Sequence, residues 1–183
     1  MLTRIDLRGE VASLETLLPR PIDTNADVLD TVRQVIAEVR QRGDAALYDF
    51  GERFDGVRPR SLVLSPDAGT MALSSLSNDL REALLVAEAA IRRYHQENLR
   101  ESSELFDRGL RIRTLARPVE RAGCYVPGGR AAYPSTVLMT AVVARVAGVE
   151  QVVVCVPPGE EGRVAGTTLA ATEVAGVNVV HPV

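Results

Sequence analysis

The chain contains no tryptophan, two cysteines and two histidines, and aromatic residues make up only 4% of it. Two cysteines without a CxxC spacing argue against a disulfide framework and against a cysteine-based zinc cluster. Cys124 and Cys155 lie in apolar segments, so we expect them to be small buried side chains. The histidines, His95 and His181, are far apart with no acidic residue at ligand spacing, and the sequence predicts neither a catalytic nor a metal site from them.

Long basic runs and long apolar runs are also missing. The 21 Lys and Arg residues are balanced by 24 Asp and Glu residues, and no cluster could neutralise a line of phosphates, which argues against a nucleic-acid partner. The first nine residues are interrupted by Arg4, Asp6 and Arg8 and do not form the apolar core of a signal peptide. No apolar stretch is long enough to cross a bilayer. We therefore expect a cytoplasmic protein without a membrane partner.

The first half of the chain has the apolar periodicity of helices. Helix-ending glycines and capping residues divide this pattern into separate helices. The predicted elements are a helix from the possible caps 23–25 to Arg42, a helix from Asp44 to Asp55-Gly56, a short β-like run at Leu62-Val63-Leu64, a helix starting at Ser65-Pro66-Asp67, and a helix over 78–98.

The polar residues from Arg100 to Gly109 are predicted to form a linker or an exposed loop. The next segment, Leu110 to Ala116, alternates between apolar and polar residues as a half-buried strand does. The sequence therefore predicts two regions. Residues 1–109 form a mostly helical amino-terminal region, and residues 110–183 form a partial α/β lobe.

Strands and helices alternate in this second region, which is typical of a parallel β/α unit. The predicted elements are a strand ending at 123–126, a helix capped by Ser135 and running through Val146, a strand over 151–156, a helix over 164–175 and a strand starting at Asn178. Fold class α/β follows from this order.

The loop 123–135 carries the strongest functional signal, because it contains Tyr125, Pro127, Gly128 and Gly129 between a strand and a helix. Paired glycines let a ligand approach the main chain, and a helix start offers unpaired N–H groups to an anion such as a pyrophosphate. The pattern alone favours a tight turn without a ligand over a binding loop, because the G-x-G-x-x-G spacing is absent.

The runs Arg117-Pro118-Val119, 122–139, 144–149 and 152–158 together resemble the signature of the histidinol dehydrogenase family. Residues 39–54, with Arg42-Gly43-Asp44, are also similar to that family, so the resemblance covers nearly the whole chain. It implies NAD-dependent oxidation of L-histidinol to L-histidine, the last transformation of histidine biosynthesis. It also implies an aldehyde-dehydrogenase-like fold with incomplete Rossmann-like lobes, of which 110–183 would be part of one, and a homodimer.

The resemblance further implies that Tyr125 contacts NAD and that Pro127, Gly128 and Gly129 form the neighbouring cofactor loop. In the family, a second glycine motif, the zinc ligands and the Glu-His acid/base pair lie beyond the point that matches Val183. The first hypothesis is therefore a truncated or split histidinol dehydrogenase that is inactive alone. The alternatives are a non-catalytic module for NAD binding or subunit pairing, and a fragment that self-associates through an open sheet edge.

Overall fold

A computed structural model describes residues 6, 8–9, 26–128, 131–159 and 162–183, which belong to two compact units, 1–43 and 44–183. The described helices before the strands are α1 Ala26–Arg42, α2 Asp44–Phe50 with the π-helical continuation Gly51–Asp55, α3 Ala68–Ser75 and α4 Asn78–Glu97. Helix α5 consists of three consecutive parts, Pro134–Val137, the π-helical Leu138–Val142 and Val143–Val146. The last helix is α6 Gly166–Val174. The strands are β1 Ser103–Asp107, β2 Leu110–Thr114, β3 Arg121–Tyr125, β4 Gln151–Cys155 and β5 Val179–His181. Within these ranges no helix has both the length and the apolar character needed to cross a membrane.

Helix α1, in the first unit, confirms the prediction that apolar periodicity ends at Gly43. The Gly43 N–H donates to the Val39 carbonyl at 2.8 Å, and Gly43 adopts a left-handed conformation with φ 58°. This is the usual carboxyl-terminal end of a helix, because glycine adopts positive φ without steric cost. The predicted capping residues 23–25 lie outside the described residues.

The helices predicted between Asp44 and residue 98 are all present in the second unit. Helix α4 begins after Ser77, whose side chain accepts a hydrogen bond from the Leu80 N–H at 3.4 Å. The Arg81 guanidinium donates back to the Leu73 and Leu76 carbonyls, which lie at the end of α3. One arginine thereby adds hydrogen bonds at the end of α3, where the helical ladder of hydrogen bonds stops.

The predicted linker over Arg100 to Gly109 is wrong, because β1 and β2 form an antiparallel hairpin there. Arg108 and Gly109 occupy the turn with φ values of 48° and 82°, and positive φ at both positions suits the twist of a two-residue hairpin. The hairpin is exposed on both faces, so the expectation of a half-buried strand at 110–116 is also wrong. Its ladder of hydrogen bonds stabilises it despite its polar composition.

The predicted parallel β/α unit is confirmed as a three-stranded sheet in the order β3-β4-β5. Helix α5 connects β3 to β4, and α6 connects β4 to β5. In the register, Tyr125 pairs with Cys155, and Cys155 pairs with His181, so the three strands end side by side. Their carboxyl ends therefore form one edge of the sheet, and the loops that follow β3 and β4 begin there.

The hydrophobic core lies on one face of this sheet. Val126, Val152 and Val154 are completely buried, and Leu138 and Val142 of α5 are at most 1% exposed. Alternate residues of a strand point to opposite faces, which explains why these valines are buried in steps of two. The core also receives partly buried residues from α4, namely Leu84, Ala87 and Ile91.

The β-like run Leu62-Val63-Leu64 is not a strand, but it lies along the free edge of β5. The Leu64 N–H donates to the Val180 carbonyl at 3.0 Å, and Nδ1 of His181 lies 2.5 Å from the Leu62 carbonyl oxygen. We name residues 62–64 the edge segment. The first hydrogen bond uses a backbone carbonyl that an edge strand would otherwise expose, and the second involves the His181 side chain.

Arg145 lies at the amino-terminal ends of the strands and links the loops that precede β4 and β5. Its guanidinium donates to the carbonyls of Val149, Glu150 and Gly176 and to the side-chain oxygen of Asn178. The same Asn178 oxygen accepts the backbone N–H of Val152 at 2.7 Å. The loops that lead into β4 and β5 are thus joined through one charged side chain.

Replacing Arg145 with methionine is expected to lower the free energy of unfolding by about 1.5–3 kcal/mol, the typical contribution of hydrogen bonds to a charged group. Methionine retains much of the side-chain length but donates no hydrogen bonds. Arg93→Met, at an exposed position of α4, is the control and should change the free energy by less than about 0.5 kcal/mol. Urea unfolding measures both variants, and equal losses would contradict this role of Arg145.

Candidate functional site

An open cleft of about 490 Å³ lies at the carboxyl edge of the parallel sheet. One wall is the loop after β3, with Pro127, Gly128, Ala131 and Ala132. The other wall is formed by the segment that leads from β4 into α6. In open α/β sheets, ligands bind at this edge, because the loops there are free to diverge around a bound molecule. The cleft is therefore the candidate site.

Gly128 brings the two walls into direct contact. A methyl group on its α-carbon would lie 2.9 Å from the carbonyl oxygen of Pro157 and 2.9 Å from the Cγ atom of the same residue. Contacts this short do not occur for real side chains, so only glycine fits without movement of a loop. The close approach at this glycine is made by Pro157, and the predicted approach of a ligand to the main chain stays a prediction.

The structure places two of the four predicted cofactor residues, Pro127 and Gly128, together in the wall of the cleft. Gly129 lies outside the described residues. Tyr125 is 65% exposed and does not line the cleft, because its side chain alternates with the buried Cys124 and Val126. Its ring therefore lies on the face of the sheet opposite the core.

Ser135 does not cap helix α5, in contrast to the prediction. Tyr133 is the N-cap residue, Pro134 occupies the first turn, and no side chain caps the helix. Proline suits this position because its fixed φ is helical and it has no N–H to leave unpaired. The N–H groups of Thr136 and Val137 both point to the Tyr133 carbonyl. Few N–H groups therefore remain for an anion at this helix start.

The two histidines have different surroundings. His181 is partly buried, and because a carbonyl can only accept, its Nδ1 atom donates to the Leu62 carbonyl. His181 therefore joins β5 to the edge segment. His95 lies on α4, where its partly buried ring packs edge-on against Tyr94 with the centroids 5.1 Å apart.

Both cysteines are free thiols. Cys124 is buried as expected, whereas Cys155 is only partly buried on the other face of the sheet. Burial, and secondarily the nearby Cys124, raises the pKa of the Cys155 thiol above its ordinary value. Cys155 therefore stays protonated at neutral pH, and a protonated thiol is a weak nucleophile.

The described part of the chain contains no group of three His, Cys, Asp or Glu residues that could hold a metal ion. The zinc that the family resemblance implies therefore has no fitting ligand set among these residues. Arg163 contributes a positive charge to the described lining of the cleft.

Helices packed on one face of a parallel sheet, with a cleft where its strands end, place this chain among the mixed α/β proteins. A family model described as histidinol dehydrogenase matches residues 18–183. The chain belongs to the histidinol dehydrogenase family, and it corresponds to an amino-terminal portion of it.

Individual relatives agree with this assignment. Histidinol dehydrogenase of Parasynechococcus marenigrum (strain WH8102) is 49% identical over 155 residues, which are 84% of this chain and 36% of that protein. Histidinol dehydrogenase of Corynebacterium diphtheriae is 42% identical over 186 residues, 98% of this chain and 41% of that protein. The crystal structure of histidinol dehydrogenase from Elizabethkingia anophelis matches with a TM-score of 0.81 and 28% identity, and the match covers 91% of this chain and 39% of that chain. The chain thus spans well under half the length of these relatives.

Proposed function

We propose that this chain supplies the amino-terminal, cofactor-binding portion of a histidinol dehydrogenase, an NAD-dependent oxidoreductase of histidine biosynthesis. The observation that carries the proposal is the cleft at the carboxyl edge of the parallel sheet, in a chain that belongs to this family. Its glycine-lined walls, Arg163 and the adjoining start of α6 support an anionic cofactor.

In this proposal Pro127, Gly128 and Gly129 form the loop that faces NAD, and Tyr125 contacts the cofactor from the neighbouring strand end. Tyr125 is 65% exposed, so its side chain is accessible to a ligand or to further polypeptide. The rest of the proposal follows the family. It includes an aldehyde-dehydrogenase-like fold, a partial Rossmann-like lobe over 110–183 that follows in sequence a mostly helical region over 1–109, a homodimer and a cytoplasmic location.

The chemistry of hydride removal requires a group that accepts the hydroxyl proton of the alcohol and a group that holds the substrate. The described residues place neither a metal site nor a histidine within the cleft wall. We therefore propose that zinc and the histidinol pocket belong to the polypeptide that the relatives carry in addition, and that this chain binds and orients the cofactor.

A complementation assay tests the proposal. The 183-residue chain is expected to form no NADH from histidinol, NAD and zinc when it is alone. Mixed with a second polypeptide that carries the remaining portion of the Corynebacterium diphtheriae relative, it should form NADH. NADH formation by the chain alone would refute the proposal that the catalytic residues lie in the second polypeptide.

Calorimetric titration of the chain with NAD provides the second measurement, and binding is expected to be weak because one lobe offers only part of the contacts.

The non-catalytic alternative differs in one outcome. A module for NAD binding or subunit pairing would bind NAD or self-associate, yet would give no NADH in the complemented mixture. Self-association through the β5 edge is disfavoured, because the edge segment already occupies that side of the strand. Light scattering of the purified chain reports self-association directly.

A further inference from the structure

The two outer strands of the parallel sheet differ in how their backbone groups are used. On the outer side of β5, the Leu64 N–H of the edge segment donates to the Val180 carbonyl at 3.0 Å. Among the described residues, none forms a strand or a backbone hydrogen bond on the outer side of β3. An exposed edge strand is a template for pairing with another strand. Within the described part of the chain, β3 is therefore the open edge of this sheet.

The hydrogen bonds to β4 show which groups of β3 remain open. The Val126 N–H donates to the Cys155 carbonyl of β4 at 2.9 Å. Backbone groups of successive residues in a strand point alternately to its two sides, so the even-numbered residues of β3 face β4. The N–H and C=O groups of Arg121, Gly123 and Tyr125 therefore face outward. All three residues are exposed.

These outward-facing residues are self-complementary when two β3 strands run antiparallel. With Gly123 opposite Gly123 of a second copy, Arg121 lies opposite Tyr125 at both ends of the pair, and no like charges meet. Each facing pair would exchange both of its N–H···O hydrogen bonds. An arginine next to a tyrosine ring on the same face of a strand pair adds a cation–π contact. This register therefore satisfies the open backbone groups and joins unlike side chains.

Gly123 leaves room for the second strand. No atom lies within 4 Å of the point where a side chain of Gly123 would begin, and a glycine at the centre of the pair keeps the two copies from colliding there. Because the edge segment already lies along β5, pairing through β3 stops at two copies. We infer that β3 is an interface between copies of this chain, in which two β3 strands pair antiparallel about Gly123 into one continuous sheet. The interface requires neither NAD nor histidinol.

Three variants of the 183-residue chain test the interface by sedimentation equilibrium over a range of protein concentrations, without NAD. Gly123→Lys adds a side chain for which the single chain has open space, but it places two like charges opposite each other in the pair. Met71→Lys is the control, because it adds the same charge at a position of α3 that is 70% exposed. Arg121→Ala removes the cation that faces Tyr125. Thermal unfolding followed by circular dichroism shows whether each variant is folded.

The wild-type chain is expected to show a reversible equilibrium between monomer and dimer without larger species. Gly123→Lys should raise the dissociation constant of the dimer about tenfold or more, because like charges would meet on an edge that must also approach closely. Arg121→Ala should raise it about fivefold, because each dimer loses two cation–π contacts. Met71→Lys should match the wild-type chain.

Amide hydrogen exchange of the wild-type chain, measured by NMR, is the second readout. The N–H groups of Arg121, Gly123 and Tyr125 should exchange more slowly as the protein concentration rises. The N–H groups of Ala122 and Cys124 face β4 and should change little. Only an interface at the outer side of β3 predicts this alternation.

Several outcomes would overturn the interface. These are a wild-type chain that stays monomeric at every concentration, folded Gly123→Lys that dimerises as tightly as the wild-type chain, and protection that rises with concentration only in the hairpin of β1 and β2. If Gly123→Lys does not fold, Arg121→Ala and hydrogen exchange of the wild-type chain decide whether β3 is the interface. The complementation assay is independent of these measurements, so failure of the interface leaves the proposed function intact, and failed complementation leaves the interface intact.

Discussion

Replacing Leu138 with alanine is expected to lower the free energy of unfolding by about 2–5 kcal/mol, the usual range for truncating a leucine in a well-packed core. Leu138 is 1% exposed and is among the largest fully buried side chains of the described residues. It stands in the π-helical part of α5 and belongs to the same cluster as Val126 and Val154 of the sheet. Truncation would leave a cavity between the helix and the sheet, because neither can close the gap without moving the other.

Met139→Ala is the matched control for Leu138. Met139 is the next residue of the same helix and is 56% exposed. Its replacement by alanine therefore shortens a side chain at a neighbouring helical position without opening a cavity. Its effect should stay within about 0.5 kcal/mol. Urea unfolding of the two variants gives the comparison. Similar losses for both would mean that α5 does not pack on the sheet as described.

Replacing Gly128 with alanine is expected to abolish measurable NAD binding and to destabilise the chain by about 1–3 kcal/mol, the range for overpacking a closed contact. The added methyl group would meet the backbone oxygen of Pro157, which cannot rotate away as a flexible side chain could. The loop after β3 would have to move, and this loop forms one wall of the cleft.

Gly123→Ala provides the control for Gly128. Gly123 lies in β3, a few residues earlier, and no atom lies within 4 Å of an added methyl group there. Its affinity for NAD should equal that of the unaltered chain. If Gly128→Ala retained that affinity as well, the proposed cofactor loop would not contact the cofactor.

The periodicity of the sequence was enough to predict the helices and the parallel strands, because both patterns are local. The second region alternates Val- and Ala-rich strands and helices, and the structure has the same order. The hairpin was missed because Ser103, Glu104 and Asp107 made its first strand look like a loop. Its register depends on partners up to eleven residues away in the chain, such as Ser103 and Thr114.

The candidate site was predicted only in part, since a cleft is assembled from segments that are distant in sequence. Gly128 could be identified as a loop residue from the sequence, because a glycine next to a proline after a strand predicts a turn. The burial of Thr168 in the cleft wall could not be predicted, because it depends on how α6 packs. The hydrogen bonds of Arg145 could not be predicted either, since its partner Asn178 lies 33 residues further along the chain.

The edge segment has a consequence for the order in which the sheet is completed. His181 and Leu62 are 119 positions apart, so their contact encloses most of the second unit. Bringing such distant residues together carries a larger entropic cost than forming α5 or α6. During refolding, protection of the Leu64 amide from hydrogen exchange should therefore arise only after the helices between these two positions are already protected.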